Sequence, residues 1–399
     1  MGPLAGMKVI EFAHVMAGPT CGLMLADMGA DVIKLERVPD GEDTRRMTPP
    51  TIDGESAAFL MMNRNKRGIA VDLKHDAGKE IARRLLRTAD VAIENFRKGT
   101  MERLGLGYEA MRQHNPGLIY CEVSGFGRSG PYADRGGYDL IAQGMSGLMS
   151  ITGEGPGRPP VKCGAPMTDI TAGILAAMGV LAAYAHKLKT GEGQRVDVSL
   201  FEAGIVHTYW QSAIAFATGV APGPMGSAHP LNGPYQAFAT ANGWITVGAA
   251  NQPNWLKLVD ALEASALKDD PRFASNDARM ANLPALVDRL APLFKQRTSA
   301  DWLERLEAVG VPAGPVLDVV QMHADPQTLA REMVVEVPHS RLKKHQSLGT
   351  PVKFSATPGA VAHGAPVLGE HTREVLAEYD YSKEEIDALI ASGAIIAAA

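Results

Sequence analysis

One carboxylate stands at the mouth of a long uncharged run. Asp169 follows Cys163-Gly164-Ala165-Pro166-Met167-Thr168, and no residue from Ile170 to Ala185 is charged. Thr168 is the expected N-cap of a helix there, which puts Asp169 in a first turn whose unpaired N–H groups and positive dipole end favour an ionised acid. An Asp at a helix start is also ordinary capping chemistry, so its position alone decides nothing. A second group is basic: Arg37, Lys66, Arg67, Lys74, Arg97 and Arg103 fall mainly at expected strand ends or in the loops beside them, in a chain of formal net charge -5. Such a set suits phosphates, with Arg as a two-pronged donor and Lys as a point charge. The segment Ala13-His14-Val15-Met16-Ala17-Gly18-Pro19 would place backbone N–H groups at a helix start, a natural anion site. Glu36 sits where a dinucleotide fold keeps its ribose acid, but the Gly-x-Gly-x-x-Gly fingerprint is missing, which argues against a nicotinamide cofactor.

Positioning these groups requires an α/β scaffold. Met7–Phe12 reads as a strand, Thr20–Met28 as a helix with Pro19 at its start, and Asp31–Glu36 as a second strand, a βαβ unit that implies a parallel sheet. Further strands are expected at the end of the Ala58–Lys74 stretch, at Val91–Glu94, Leu118–Val123 and Arg195–Ser199. Helices are expected at Ala77–Arg87, Leu140–Met149 and Leu200–Thr218. Asn95, Phe96, Arg97 and Arg103 then lie beyond the carboxyl end of a strand, where α/β sheets bind ligands. The apolar run after Asp169 is about 16 residues, short of the ~20 that span a bilayer, and reads as a core helix. Residues 220–234, rich in Gly, Pro and Ala, form a linker. Beyond it come a hairpin turning at Asn242-Gly243, the small-residue loop Gly248-Ala249-Ala250-Asn251-Gln252-Pro253 and several helices, and Ser382 with Glu385 reads as a capping box.

The 399 residues suffice for two domains, and the composition, 46% apolar and 21% charged, is that of a globular chain. Cys21, Cys121 and Cys163 have neither disulfide nor metal-ligand spacing, so a reducing cytosol and no zinc are expected. The N-terminal residues show no leader pattern, and no membrane anchor is expected. The acidic balance argues against nucleic acid as a partner and for small molecules.

Several stretches carry a resemblance. His14-Val15-Met16-Ala17-Gly18-Pro19, Gly29–Arg37, Asn65-Lys66-Arg67, Glu94-Asn95-Phe96, Lys189–Gln194, Val311–Val316 and Leu368–Thr372 resemble the class III CoA-transferases, the CaiB/BaiF-like group of formyl-CoA and carnitine CoA-transferases. The resemblance implies a Rossmann-like large domain, made of residues 1–219 and a return segment 326–399, with a smaller α+β domain at 220–325. It also implies a homodimer of two interlocked rings. Asp169 would be the nucleophile: its carboxylate attacks an acyl-CoA thioester to give a mixed anhydride and CoA thiolate. The thiolate then makes an aspartyl-CoA thioester, from which a free carboxylic acid collects the CoA. CoA and acyl-CoA are thus substrates, and no permanently bound cofactor is implied. Met16, Arg37, Leu73, Lys74, Asn95, Phe96, Arg97 and Arg103 would surround the CoA, and Tyr138 and Asp139 would line the site. Gly248, Ala249, Ala250, Asn251 and Gln252 match the family's mobile glycine loop, which shields intermediates from water, with alanine at two glycine positions.

Met16 stands where formyl-CoA transferase has a Gln, which points away from formyl-CoA as donor. The alternative, a 2-methylacyl-CoA racemase, needs an acid/base pair, and the position where racemases carry His is Tyr138 here, a poor base at neutral pH. Class III CoA-transferases with loops resembling Pro234-Tyr235-Gln236-Ala237-Phe238 often handle short dicarboxylates with succinyl-CoA as donor, so the resemblance implies succinate, oxalate, glutarate, malate or itaconate as acceptor. His229 and Gln252 are candidates for its carboxylate.

Overall fold

The computed structural model of the chain describes residues 2–398. Six parallel strands carry the larger unit: β1 (Lys8–Glu11), β2 (Asp31–Glu36), β3 (Lys66–Val71), β4 (Val91–Glu94), β5 (Ile119–Ser124) and β6 (Arg195–Ser199). Across the sheet the order is Ile395–Ile396, β3, β2, β1, β4, β5, β6, the C-terminal pair running antiparallel to β3. Ile10 pairs in register with Ile33 on one side and Ala92 on the other. The inner strands are buried nearly throughout because both sheet faces are covered. One face packs Ile81 and Leu85 of helix α2 (Asp76–Leu86) with Val375, Leu376 and Ile386 from the return segment. The other packs α1 (Ala17–Asp27) and the long helix that carries Asp169. Strand order reverses at β1, with β2 and β3 to one side and β4 and β5 to the other. In an open α/β sheet the crevice beyond that switch point is where ligands bind.

Two shorter helices complete the setting, α3 (Asp139–Met145) and α5 (Leu200–Val206), on either side of α4 (Met167–Thr190) in the sequence. Helix α4 is longer than its uncharged run and ends at Gly191 in the left-handed conformation (φ 79°), a conformation glycine adopts freely. Its length and composition are also those of a helix able to cross a membrane. Its buried stripe is small, however: Ala172, Gly173, Ala176, Ala177, Val180 and Ala183. Small residues let α4 approach α1 closely. A Cβ built on Gly173 would lie 2.4 Å from Thr20 Cβ and 2.6 Å from the Ala17 carbonyl oxygen. Gly173→Ala must therefore push the two helices apart, and a loss of about 1–3 kcal/mol in urea unfolding is expected despite alanine's better helix propensity. Unchanged stability would mean that α1 yields easily.

The chain divides into two compact units, the larger Met1–Gly147, Cys163–His207 and Pro326–Ala399, the smaller Leu148–Lys162 and Thr208–Asp325. The expected boundaries therefore shift in two places. Leu148–Lys162 belongs to the smaller unit, where Gly226 N–H bonds to Gly153 O at 2.8 Å. The single helix expected over Leu200–Thr218 breaks at His207-Thr208. There the Thr208 and Ser212 hydroxyls pair at 2.8 Å, and a new helix, Tyr209–Thr218, starts. The smaller unit pairs Tyr235–Ala239, Trp244–Gly248 and Ala313–Pro315 in an antiparallel sheet. Its core holds Trp255, Phe273, Trp302 and the stacked rings of Phe238 and Phe294, 4.5 Å between centroids.

Candidate active site

A cavity of about 360 Å³ opens beyond the carboxyl ends of β1, β4 and β5, the switch point of the larger unit. The loop after β1 supplies His14, Val15, Met16 and Ala17, that after β4 Asn95, Phe96 and Arg97, and the end of β5 Val123, Ser124 and Gly125; Arg37, Asp43, Gly137, Tyr138, Asp169 and Leu200 complete the wall. The first two loops are cross-pinned. The Asn95 side chain accepts from His14 N–H at 2.9 Å and donates to His14 O at 2.8 Å. Phe96 lies against the His14 ring, 5.1 Å between centroids. Val15 is held at φ 66°, a costly conformation for a β-branched residue, with its N–H bonded to Glu42 Oε2 at 2.8 Å. At the opposite wall two backbones nearly touch: a Cβ on Gly125 would lie 2.6 Å from Gly137 Cα, so both positions require glycine.

Asp169 sits in the first turn of α4, but Thr168 is not its cap. The helix starts at Met167 after Pro166, and Thr168 lies inside the first turn, fully buried. Asp139, at the start of α3, performs the capping instead: its Oδ1 accepts from Thr168 N–H at 3.0 Å and from the Thr168 hydroxyl at 2.9 Å. Gln143, one turn along α3, donates to Asp139 Oδ2 at 2.8 Å and accepts from Cys163 N–H at 2.9 Å. The approach to α4 is thus fastened to α3. The helix position alone would hold the Asp169 carboxyl low, and its surroundings act the other way. Burial first, and then the negative charge of Asp139, push its carboxyl up to about 6, so desolvation outweighs the helix end. At neutral pH it is still mostly ionised, and more basic than an ordinary carboxylate. His14 moves the other way, held below its usual range by burial and by Lys34, so the imidazole in the wall is neutral at pH 7.

Of the residues expected to surround the CoA, the cavity gathers Met16, Arg37, Asn95, Phe96, Arg97 and Tyr138 around Asp169. Arg97 is exposed and has no ion-pair partner among the described residues, whereas Arg37 pairs with Asp43. Leu73, Lys74, Arg103 and Asp139 lie outside the cavity lining. Leu73 packs against the core, Lys74 is exposed, and Arg103 bonds to the Thr100 hydroxyl at 3.0 Å. Two members of the basic set are not phosphate cations. Lys66 is buried and donates to Glu11 at 3.0 Å, beside Lys34, which donates to the same oxygen at 2.9 Å. Arg67 is spent on Asp31, Glu374 and Glu378. Glu36, in the ribose-acid position, is clasped by Arg45 at 2.6 Å.

Gly248, Ala249, Ala250, Asn251 and Gln252 belong to the smaller unit. There Asn251 caps the helix Gln252–Ala261, Ala249 is buried, and Gln252 bonds to Ala274 O at 3.0 Å and to Arg279 at 2.8 Å. His229 packs edge-on to Tyr235, 5.2 Å between centroids. Asp43, Ser124 and Gly125 as wall residues and Gln143 as a fastening were not legible in the sequence, whereas His14 stands in the loop expected to bind an anion. Glycines in Ser124-Gly125-Phe126-Gly127 and Gly136-Gly137 are the sequence feature that permits the close backbone approach there.

Residues 4–372 match the sequence profile of CoA-transferase family III. The chain is 42% identical to a succinate–glutarate CoA-transferase of Agrobacterium fabrum over 95% of its own length and 96% of that protein's. It is 36% identical to the succinyl-CoA:glutarate CoA-transferase of Mus musculus over 99% and 91% of the two chains. A crystal structure of a CaiB/BaiF family protein from Brucella suis superimposes with a TM-score of 0.85 at 40% identity, covering 95% of this chain and all of that one. The chain therefore belongs to CoA-transferase family III and is a CoA-transferase.

Proposed function

We propose that this protein moves CoA between short dicarboxylic acids, with succinyl-CoA as donor and glutarate as acceptor, and that Asp169 is the nucleophile. One observation carries the reading: a carboxylate of raised basicity lies in the same cavity as Arg37, Asn95, Phe96 and Arg97, the last with no ion-pair partner among the described residues. The names of two relatives supply the acids.

In this reading Asp169 attacks the thioester carbonyl. The C–S bond breaks, leaving an aspartyl–succinyl anhydride and CoA thiolate. The thiolate attacks the aspartyl carbonyl and releases succinate, giving aspartyl-CoA. Glutarate attacks that thioester in turn, and the thiolate takes the glutaryl group from the second anhydride, restoring Asp169. Each activated acyl bond broken is matched by another formed, and the net reaction exchanges one thioester for another, so the thioester's free energy is kept. A carboxylate near 6 is a stronger nucleophile than one near 4 yet still ionised at pH 7.5. We assign Arg37 and Arg97 to phosphate or carboxylate charge. Leu73, Lys74 and Arg103 belong to the nucleotide end of a ligand too long for a cavity of about 360 Å³.

The test is direct. Succinyl-CoA mixed with glutarate should yield glutaryl-CoA in step with succinate, and hydroxylamine added during turnover should leave a hydroxamate on Asp169. If no CoA moves while deuterium enters the α-position of a 2-methylacyl-CoA, the racemase reading takes its place.

We also propose a homodimer. Helix α4 leaves Met178 60% and Leu188 71% exposed, and in the smaller unit the helix Tyr209–Thr218 buries no residue and leaves Phe216 90% exposed. Apolar area on this scale marks an interface. Light scattering is expected to give twice the 42.4 kDa chain mass, and a single-chain mass would refute the dimer.

A further inference from the structure

The wall around Phe96 is held from behind by an ion pair that the transfer chemistry does not use. Glu94, the buried last residue of β4, accepts from Phe96 N–H at 2.6 Å through Oε2, and its Oε1 pairs with Arg128 Nη2. Arg128 Nη1 donates to Phe96 O at 3.1 Å. One ion pair therefore claims both the N–H and the C=O of Phe96 and sets the peptide planes on either side of it. Arg128 is itself fixed, its backbone N–H bonding to Asp197 Oδ2 at 2.9 Å and its Nε reaching Glu122 at 3.1 Å, while Glu122 keeps a second partner in Arg195 at 2.8 Å. Arg128 lies in the loop after β5, the strand whose end supplies Ser124 and Gly125 to the cavity. The pair thus locks the β4 and β5 loops together, and the Asn95 bonds to His14 carry the constraint on to the β1 loop.

We propose that Arg128 and Glu94 are positioning residues for CoA: they hold the Asn95-Phe96-Arg97 wall in its binding geometry and leave the chemistry at Asp169 untouched. The proposal rests on the reading of the cavity as the CoA site. Neither side chain lines the cavity, so each acts through Phe96. The arrangement resembles the outer contacts that orient ligating groups in other binding sites, where geometry is lost when the support is removed.

The double variant Arg128→Met/Glu94→Gln removes one charge of each sign and leaves Glu122 paired with Arg195. The glutamine carbonyl still accepts from Phe96 N–H, but Phe96 O loses its charged donor. The dissociation constant of CoA, by titration calorimetry, and the KM for succinyl-CoA should each rise about tenfold, the worth of one charge-assisted hydrogen bond. The kcat at saturation and the KM for glutarate should stay within about twofold. Arg128→Lys keeps the charge but not the fork, so it should fall between wild type and the double variant, and it stands in if the double variant does not fold. Unchanged CoA affinity in a folded variant, or a fall in kcat with KM unchanged, overturns the proposal. Wild-type protein that binds no CoA would instead overturn the reading of the cavity.

Discussion

Asparagine in place of Asp169 is expected to lower CoA exchange by roughly 10⁴-fold or more while leaving CoA binding in place. The amide matches the carboxylate in shape but cannot form the anhydride. The same variant should be more stable than wild type at alkaline pH. Burial and Asp139 raise the folded-state pKa of Asp169 from the usual carboxylate range to about 6. The folded protein therefore binds this proton more tightly than the unfolded chain does. The stabilisation that follows is complete below about pH 4 and is lost as pH rises through 6, so at pH 8 the wild type carries a desolvated charge costing roughly 2 kcal/mol. Urea midpoints of wild type and Asp169→Asn should thus separate at pH 8 and converge near pH 4. In wild type, kcat/KM should climb through pH 6 and level off above it. Exchange surviving in the asparagine variant would place the nucleophile elsewhere. An unchanged urea midpoint at pH 8 would mean that water screens Asp169 more fully than its burial indicates.

The local elements were legible because their signals are local. Val-Ile-Glu after Lys8, the Asp31–Glu36 strand and the Asn95-Phe96-Arg97 loop all follow from apolar runs and their breakers, and they place the cavity correctly at strand ends. Strand order was not legible. β3 lies two strands out from β1, about 10 Å at normal sheet spacing, which is why Leu73 and Lys74 miss the cavity while Asn95, on the adjacent strand's loop, lines it. Lys66 and Arg67 suit phosphates by their local sequence, yet their partners Glu11 and Glu374 stand 55 and 307 positions away in the chain. No window of sequence contains such a pair. The cap of α4 failed for the same reason: Thr168 satisfied every local rule, but an acceptor 29 positions earlier had already taken its N–H.

That acceptor is the second place where a large effect is expected. Asp139 does two things to the nucleophile: it fixes the first turn of α4 through both polar groups of Thr168, and its charge raises the basicity of Asp169. Asp139→Ala removes both. It leaves the buried Thr168 N–H without a partner, and a first turn loosened by even about 1 Å costs on the order of 10²-fold in kcat at every pH. Asp139→Asn separates the two effects. Its carbonyl can still accept from Thr168, so the rate at high pH should stay near wild type, while loss of the charge lets the Asp169 limb of the kcat/KM profile move to lower pH. The amide does face the donor of Gln143, which in wild type bonds to Asp139 Oδ2 at 2.8 Å. Asp139→Asn/Gln143→Glu restores that bond with its direction reversed and puts a negative charge back one turn along α3. If the charge governs the limb and the hydrogen bonds govern the rate, this double variant should move the limb part of the way back and keep a near-normal kcat. An alanine variant with wild-type kcat would show instead that α4 holds Asp169 in place without the cap.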